Sequence, residues 1–145
     1  MGILNNKPNF SNLLKCKGLK VTKHRNSVLE VIESSNRPVT AEDIYIILKQ
    51  KDISINLSSI YRILDTLVAK SLINKFIFEE TNKTCYEMND MQHKHYLICN
   101  GCKKVFPISG CPLHAYESQL EDTLDFTITN HKLEIYGYCK DCKKK

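Results

Sequence analysis

The sequence predicts an α+β chain in two parts: a helical first stretch, and a mixed, metal-stapled stretch from about residue 90 onward. Three observations predict it. Apolar residues recur at three- and four-residue spacing as far as Lys70, then give way to short β-rich runs. Two Cys-x-x-Cys pairs, Cys99/Cys102 and Cys139/Cys142, bracket the last third of the chain. Four of the five histidines, His93, His95, His114 and His131, lie in or just ahead of that bracketed span.

The helical elements follow from caps and stops. Asn9 to Lys17 makes a short helix with Phe10, Leu13 and Leu14 on one side, closed by Gly18. Lys23 to Ser35 places Val28, Leu29, Val31 and Ile32 on one face, and Asn36-Arg37-Pro38 stops it. Thr40 caps a helix from Ala41 to Lys51; Thr40-Ala-Glu-Asp43 is a capping box with Asp in the usual Glu position. Asn56-Leu57-Ser58 opens a fourth helix, about Ser59 to Lys70, with an apolar stripe of Ile60, Ile63, Leu64, Leu67 and Val68. Two β-rich runs follow, Ile73 to Phe78 and Thr84 to Met88, separated by the polar turn Glu79–Lys83.

Three helices and then a hairpin is the order of a winged helix-turn-helix. In that arrangement the last helix enters the major groove with its N-terminal residues at the base edges. Here those residues are Ser59, Tyr61 and Arg62. An amphipathic stripe alone says only "core element"; helix order, hairpin and charge together point to DNA. The chain carries a formal charge of +5, and no Asp or Glu precedes Glu30, whereas Lys7, Lys15, Lys17, Lys20, Lys23 and Arg25 all do. That stretch suits a polyanion such as a double-stranded DNA operator, and a solvated basic tail is the plain alternative.

The boundary falls near residue 90, giving a winged-helix DNA-binding domain over 1–89 and a metal-binding dimerisation domain over 90–145. In the second, Tyr96 to Ile98 and Val105 to Ile108 read as strands flanking the first knuckle. Pro112 opens a helix of about three turns with Leu113, Tyr116, Leu120 and Leu124. Thr127 to Ile128 and Lys132 to Tyr138 return as strands. A sheet edge in so small a domain commonly pairs with a second copy, so a homodimer is expected. Seven cysteines without a secretory signal point to a reducing, cytoplasmic location, and no apolar run approaches the length of a membrane span.

The cysteine pairs read as one structural, tetrahedral Zn²⁺ site closed to further ligands. The alternative, a redox dithiol, expects a βαβ setting that the pattern lacks. Structural zinc contributes roughly 10–16 kcal/mol in small peptides, enough to hold up a thin domain. Lys103, Lys104, Lys140 and Lys143 offset the site's negative charge.

His93-Lys94-His95 puts two imidazoles on one face of an extended segment. His131 and His114 can converge on that face. Such a site takes Zn, Fe, Ni or Cu, and ligand type does not identify the metal; a set without an obligatory carboxylate favours zinc. Cys85 and Cys111 are spare thiols, each either a ligand or a small buried hydrophobe, and Cys16 reads as a packing residue.

Val21-Thr-Lys-His-Arg25, Thr40-Ala-Glu-Asp-Ile-Tyr45, Ser59-Ile-Tyr-Arg-Ile-Leu64, His93-x-His95, Cys99-x-x-Cys102-Lys-Lys-Val105 and His131-Lys-Leu-Glu-Ile-Tyr-Gly-Tyr-Cys139-x-x-Cys142 together resemble the ferric uptake regulator family, from about Phe10 to Cys142. The resemblance implies a dimeric, metal-dependent transcriptional repressor controlling metal-uptake genes. It implies that Arg25 touches the DNA backbone while Tyr61 and Arg62 act from the recognition helix. It maps a regulatory site onto His93, His95, His114 and His131, with His114 standing where the family has an acid. The family's interdomain site is largely missing: its positions are Lys94, Tyr96, Pro107 and Pro38, and only Glu87 remains. The Cys-Lys-Lys context and the Gly110-Cys-Pro-Leu113 turn are most similar to zinc uptake regulators. The regulatory metal is then zinc, with Fe²⁺ or Mn²⁺ as alternatives, and an iron- or peroxide-responsive regulator is the competing function within the family. Outside it stand a zinc-stabilised interaction module without DNA binding and a zinc hydrolase using Glu117 or Glu134 as base, for which no motif exists. The expectation is a regulator and not an enzyme.

Overall fold

In the computed structural model, which describes residues 9–90 and 93–144, side-chain caps start the three main helices of the first unit. A helix begins with backbone N–H groups that lack an internal partner, and short polar side chains supply one. Thr22 Oγ1 accepts from Arg25 N at 3.1 Å ahead of α2, Lys23–Ser34. Ahead of α3, Ala41–Gln50, the capping box closes both ways: Asp43 N donates to Thr40 Oγ1 at 3.1 Å and Thr40 N to Asp43 Oδ2 at 3.0 Å. Asn56 Oδ1 accepts from Ser59 N at 2.8 Å, so α4 spans Leu57–Ala69, starting two residues before the expected Ser59. The short α1, Ser11–Cys16, ends into Gly18, whose φ of +70° turns the chain back.

These helices bury one stripe each. Val28, Leu29, Val31 and Ile32 from α2 meet Ile44 and Leu48 from α3 and Ile60, Leu64 and Leu67 from α4. Burying each such side chain is worth roughly 1.5–3 kcal/mol. Strands β1, Ile73–Phe78, and β2, Lys83–Met88, form an antiparallel hairpin from Ile73↔Met88 to Phe78↔Lys83. Tyr86 drops from β2 into the helical core, and Val39, just before α3, bridges to its backbone. Three helices closed by a hairpin wing is the winged helix expected. Within α1, Phe10 and Leu14 are buried while Leu13 is exposed. Cys16, read from the sequence as packing, is exposed: as the helix's last residue it lies beyond the buried Phe10/Leu14 stripe.

The second unit is a three-stranded sheet in the order β4-β3-β5. Strand β3, His95–Cys99, pairs antiparallel with β4, Val105–Ile108, across the first knuckle. It pairs parallel with β5, Glu134–Gly137, in the register Tyr96↔Glu134 to Cys99↔Gly137. Parallel neighbours need a crossover of a dozen or more residues. Helix α5, His114–Leu124, lies within that crossover. One expectation is corrected here. Thr127 to Ile128 form no strand: Ile128 N instead donates to Glu121 Oε1 at 2.7 Å. The expected helix is present as α5, and it leaves its apolar positions uncovered: no residue of the helix is buried, and Tyr116 and Leu124 are 56% and 65% exposed. Among the described residues no helix is long and apolar enough to cross a membrane.

Replacing Thr40 with Ala removes the oxygen that caps α3. Urea unfolding should show a loss of about 1 kcal/mol, and unchanged stability would mean the box contributes nothing.

Candidate metal centres and nucleic-acid face

The first centre is built by backbone turns at the ends of β3 and β5. Cys99 ends β3, and Lys103 N donates to its carbonyl at 2.9 Å, closing the knuckle that presents Cys102. Cys139 follows β5 by two residues, and Cys142 and Lys143 N both donate to the Cys139 carbonyl, at 3.0 and 2.9 Å. The four sulfurs lie within 4.8 Å of one another. Cys102 Sγ and Cys139 Sγ are 3.8 Å apart, matching the edge of about 3.8 Å that a tetrahedron with Zn–S bonds of about 2.3 Å requires.

Cys99 Sγ accepts from the backbone N–H of Cys139 at 3.3 Å and of Cys102 at 3.5 Å. Those two donors hold its thiol down at about 6. Its neighbours push Cys142 the other way, chiefly through the side-chain hydrogen bonds of Cys99 and Cys139, up to about 12. Four thiols at this spacing cannot all ionise without a cation between them. The donor set fits a tetrahedral, thiolate-bound metal. Gly101 makes the turn fit: a Cβ there would stand 2.8 Å from Cys142 Sγ and 2.9 Å from its Cβ.

The second cluster holds His93, His95, Cys111 and His131, again within 4.8 Å. His93 precedes β3 and His95 begins it, two apart on extended backbone and so on one face. His131 comes three residues before β5, and the parallel register brings it beside that end of β3. Gly110, at φ +77°, turns the chain out of β4 and presents Cys111. His131 Nε2 stands 2.6 Å from His93 Nε2, 3.1 Å from His95 Nε2 and 3.3 Å from Cys111 Sγ. Cys111 Sγ is also 3.3 Å from His95 Nε2. Tetrahedral edges for mixed nitrogen and sulfur ligands on zinc are about 3.3–3.6 Å, so the donors already face one point, slightly contracted. His95 is 1% exposed. Burial, then the nearby His93 and His131, lower its pKa below the ordinary 6.5, which keeps it neutral and able to ligate.

His114 lies outside this cluster, where the sequence-derived set had included it. As the first residue of α5 it is exposed, lining the same hollow as His93 and His131 without joining the convergent donors. Cys111, a spare thiol in the sequence, is the fourth member of the cluster; its signal was the Gly-Cys-Pro turn that re-aims it. Glu117 contacts His131 Nδ1, on the side of the ring away from the cluster. Cys85 and Glu87 belong to neither cluster. Cys85 is buried on β2, and burial pushes its thiol up to about 11.

In the first unit, α4 presents Ser59, Tyr61 and Arg62 from its N-terminal half, the last two exposed. Tyr61 Oη donates to Glu42 Oε1 of α3 at 2.8 Å. Arg25 is half-buried on α2, and its Nη1 donates to the Lys20 carbonyl at 2.6 Å, tying the preceding loop to the helix.

A winged helix joined to an α/β unit with two metal-capable clusters is the build of a metal-dependent transcriptional regulator. The family model described as the ferric uptake regulator family matches residues 16–136, and the chain belongs to that family. It is 32% identical over 139 residues to the ferric uptake regulation protein of Neisseria meningitidis serogroup C, covering 94% of this chain and 96% of that one. It is 34% identical over 134 residues to the Escherichia coli K12 protein of the same name, covering 90% of each. The fold is similar to the crystal structure of the Vibrio cholerae ferric uptake regulator, with a TM-score of 0.78 at 28% identity over 90% of this chain and 100% of that one. A zinc-bound manganese uptake regulator shares the fold with a TM-score of 0.81 at 21% identity, covering 91% of this chain and 99% of that one. Members of this family are DNA-binding, dimeric transcription regulators.

Two predictions follow from the geometry. Gly101→Ala forces Cys142 away from the other sulfurs, so elemental analysis of the isolated protein should find the cysteine centre depleted of zinc; full zinc content would contradict the packing. For His95, the folded chain binds fewer protons than the unfolded chain below pH 6.5. Its contribution to stability is therefore complete above that pH and lost as the pH falls through the depressed folded value. Urea unfolding with the cysteine centre loaded should show a steeper acid-side decline in the native protein than in His95→Gln; equal declines would contradict it.

Proposed function

We propose that the chain is a zinc-responsive repressor of metal-uptake genes. Cys99, Cys102, Cys139 and Cys142 hold one structural zinc per subunit, and His93, His95, Cys111 and His131 hold the regulatory metal. The observation that carries this reading is the second donor set: three imidazoles and one thiol, with no carboxylate among them. Tetrahedral nitrogen–sulfur coordination favours zinc, whereas Mn²⁺ prefers more numerous oxygen ligands. Iron is the second reading, favoured by the names of the relatives, which are ferric uptake regulation proteins.

The residues have separable tasks. Cys99 and Cys139 clamp the ends of β3 and β5, so His95 and His131 are held side by side before any regulatory metal arrives. Cys111, on the segment leading into α5, is the ligand that ties the crossover to the sheet. Metal that binds the DNA-competent state more tightly strengthens operator binding, and operator DNA strengthens metal binding by the same factor. A homodimer is supported by apolar surface that one copy leaves open. Phe106, Leu97 and Ile135 are cross-strand neighbours along one row of the sheet, all exposed, and Tyr116 and Leu124 stand out from α5. On the DNA, Tyr61 and Arg62 read bases from α4 with Ser59 beside them, and Arg25 meets a phosphate.

Selection from a random duplex pool should yield an inverted-repeat operator. Zinc filling the second centre should tighten binding to it more than Fe²⁺ or Mn²⁺ at equal occupancy. Activation by Fe²⁺ but not by zinc would overturn the zinc assignment, and affinity unchanged by every metal would overturn the gating. Arg62→Ala should relax base preference. Arg25→Ala should weaken binding to all sequences alike and flatten the salt slope by about one; an Arg25 variant that changed preference instead would reverse these roles.

A further inference from the structure

We propose that Glu117 is an outer partner of the second metal centre. It holds the His131 ring with Nε2 facing the other ligands, and it attaches α5 to that centre. The proposal rests on reading His93, His95, Cys111 and His131 as the metal-binding set.

An imidazole that ligates through one nitrogen carries its proton on the other, and the partner of that proton fixes both tautomer and ring orientation. In His131 the division is visible. Nε2 faces His93, His95 and Cys111, while Nδ1 meets Glu117 Oε1. Glu117 therefore addresses the far side of the ring and is not a fifth donor to the same point. Its setting differs from that of an ordinary surface ion pair, which contributes little. The His131 and Glu117 side chains are only 17% and 19% exposed.

The helix gives Glu117 a second consequence. α5 has no buried residue, so packing within one copy does little to hold it. Its described polar ties to the segment leading into β5 are Glu117 with His131 and Glu121 with the Ile128 amide. Of these, Glu117 is the one that reaches a ligand residue. Cys111 lies just ahead of the helix, so the centre grips α5 through the chain at its start and through Glu117 in its first turn.

The test uses the full chain with zinc in the cysteine centre. Zinc affinity of the second centre is measured by competition with a chromogenic chelator, and its geometry is read from Co²⁺ absorption, in the native protein, Glu117→Ala, Glu117→Gln and His131→Ala. Glu117→Ala should lower zinc affinity about ten- to a hundredfold. Glu117→Gln should lose less, because its amide oxygen still accepts from Nδ1–H. In both variants the cobalt spectrum should keep its thiolate charge-transfer band and four-coordinate pattern. Native affinity in Glu117→Ala would overturn the proposal, and so would a cobalt spectrum showing a lost direct ligand. His131→Ala separates the two levels of the argument. If it leaves second-centre affinity intact, the metal-site reading fails; if it abolishes binding while Glu117→Ala does not weaken it, only the role of Glu117 fails.

Discussion

The parallel pairing of β3 with β5 is the constraint on which the second unit depends. Strand β3 begins at His95 and ends at Cys99, so it contributes a donor to each centre from opposite ends. At about 3.3 Å per residue those ends are roughly 13 Å apart, far enough for two separate ions. With β5 running the same way, His131 enters at the His95 end of β3 and Cys139 leaves at the Cys99 end. An antiparallel β5 would exchange those neighbours and dismantle both donor sets. The length of chain between the cysteine pairs has the same origin, since a parallel neighbour cannot be reached by a tight turn.

The two centres divide the work along that strand pair. At one end, backbone amides already organise a sulfur cluster around Cys99, and Gly101 leaves the space the fourth sulfur needs. That end fixes register. At the other end, the donors come from three separate stretches: the lead into β3, the turn after β4 and the lead into β5. Under the proposed function, a metal that gathers these donors moves the stretches that carry them. The most exposed element near it, α5, is joined to it by Cys111 and Glu117.

Much of the first unit was legible in the sequence because its signals are local. Thr40 and Asp43 announce a capping box three residues apart, and the α4 stripe repeats without interruption. The opening of α4 is legible in Asn56, but the helix begins directly after that cap, at Leu57, two residues before the expected Ser59. The cysteine set was equally plain from its spacing. The choice between His114 and Cys111 was not, because it depends on a positive φ at Gly110 that spacing does not encode. The α5 stripe has the helical period, but periodicity reports an apolar face without saying whether the same chain covers it. Glu117 had no motif at all; its place beside His131 exists only once the crossover is folded.

The central claim is that one small sheet carries a four-sulfur centre at one end and a three-imidazole, one-thiolate centre at the other. X-ray absorption of the protein loaded with two zinc ions per chain tests it most directly, because the average shell counts sulfur against nitrogen. Five sulfurs and three imidazole nitrogens shared over two ions are expected, with one sulfur lost in Cys111→Ser. Four sulfurs and four imidazoles, unchanged in Cys111→Ser, would return His114 to the site and contradict it.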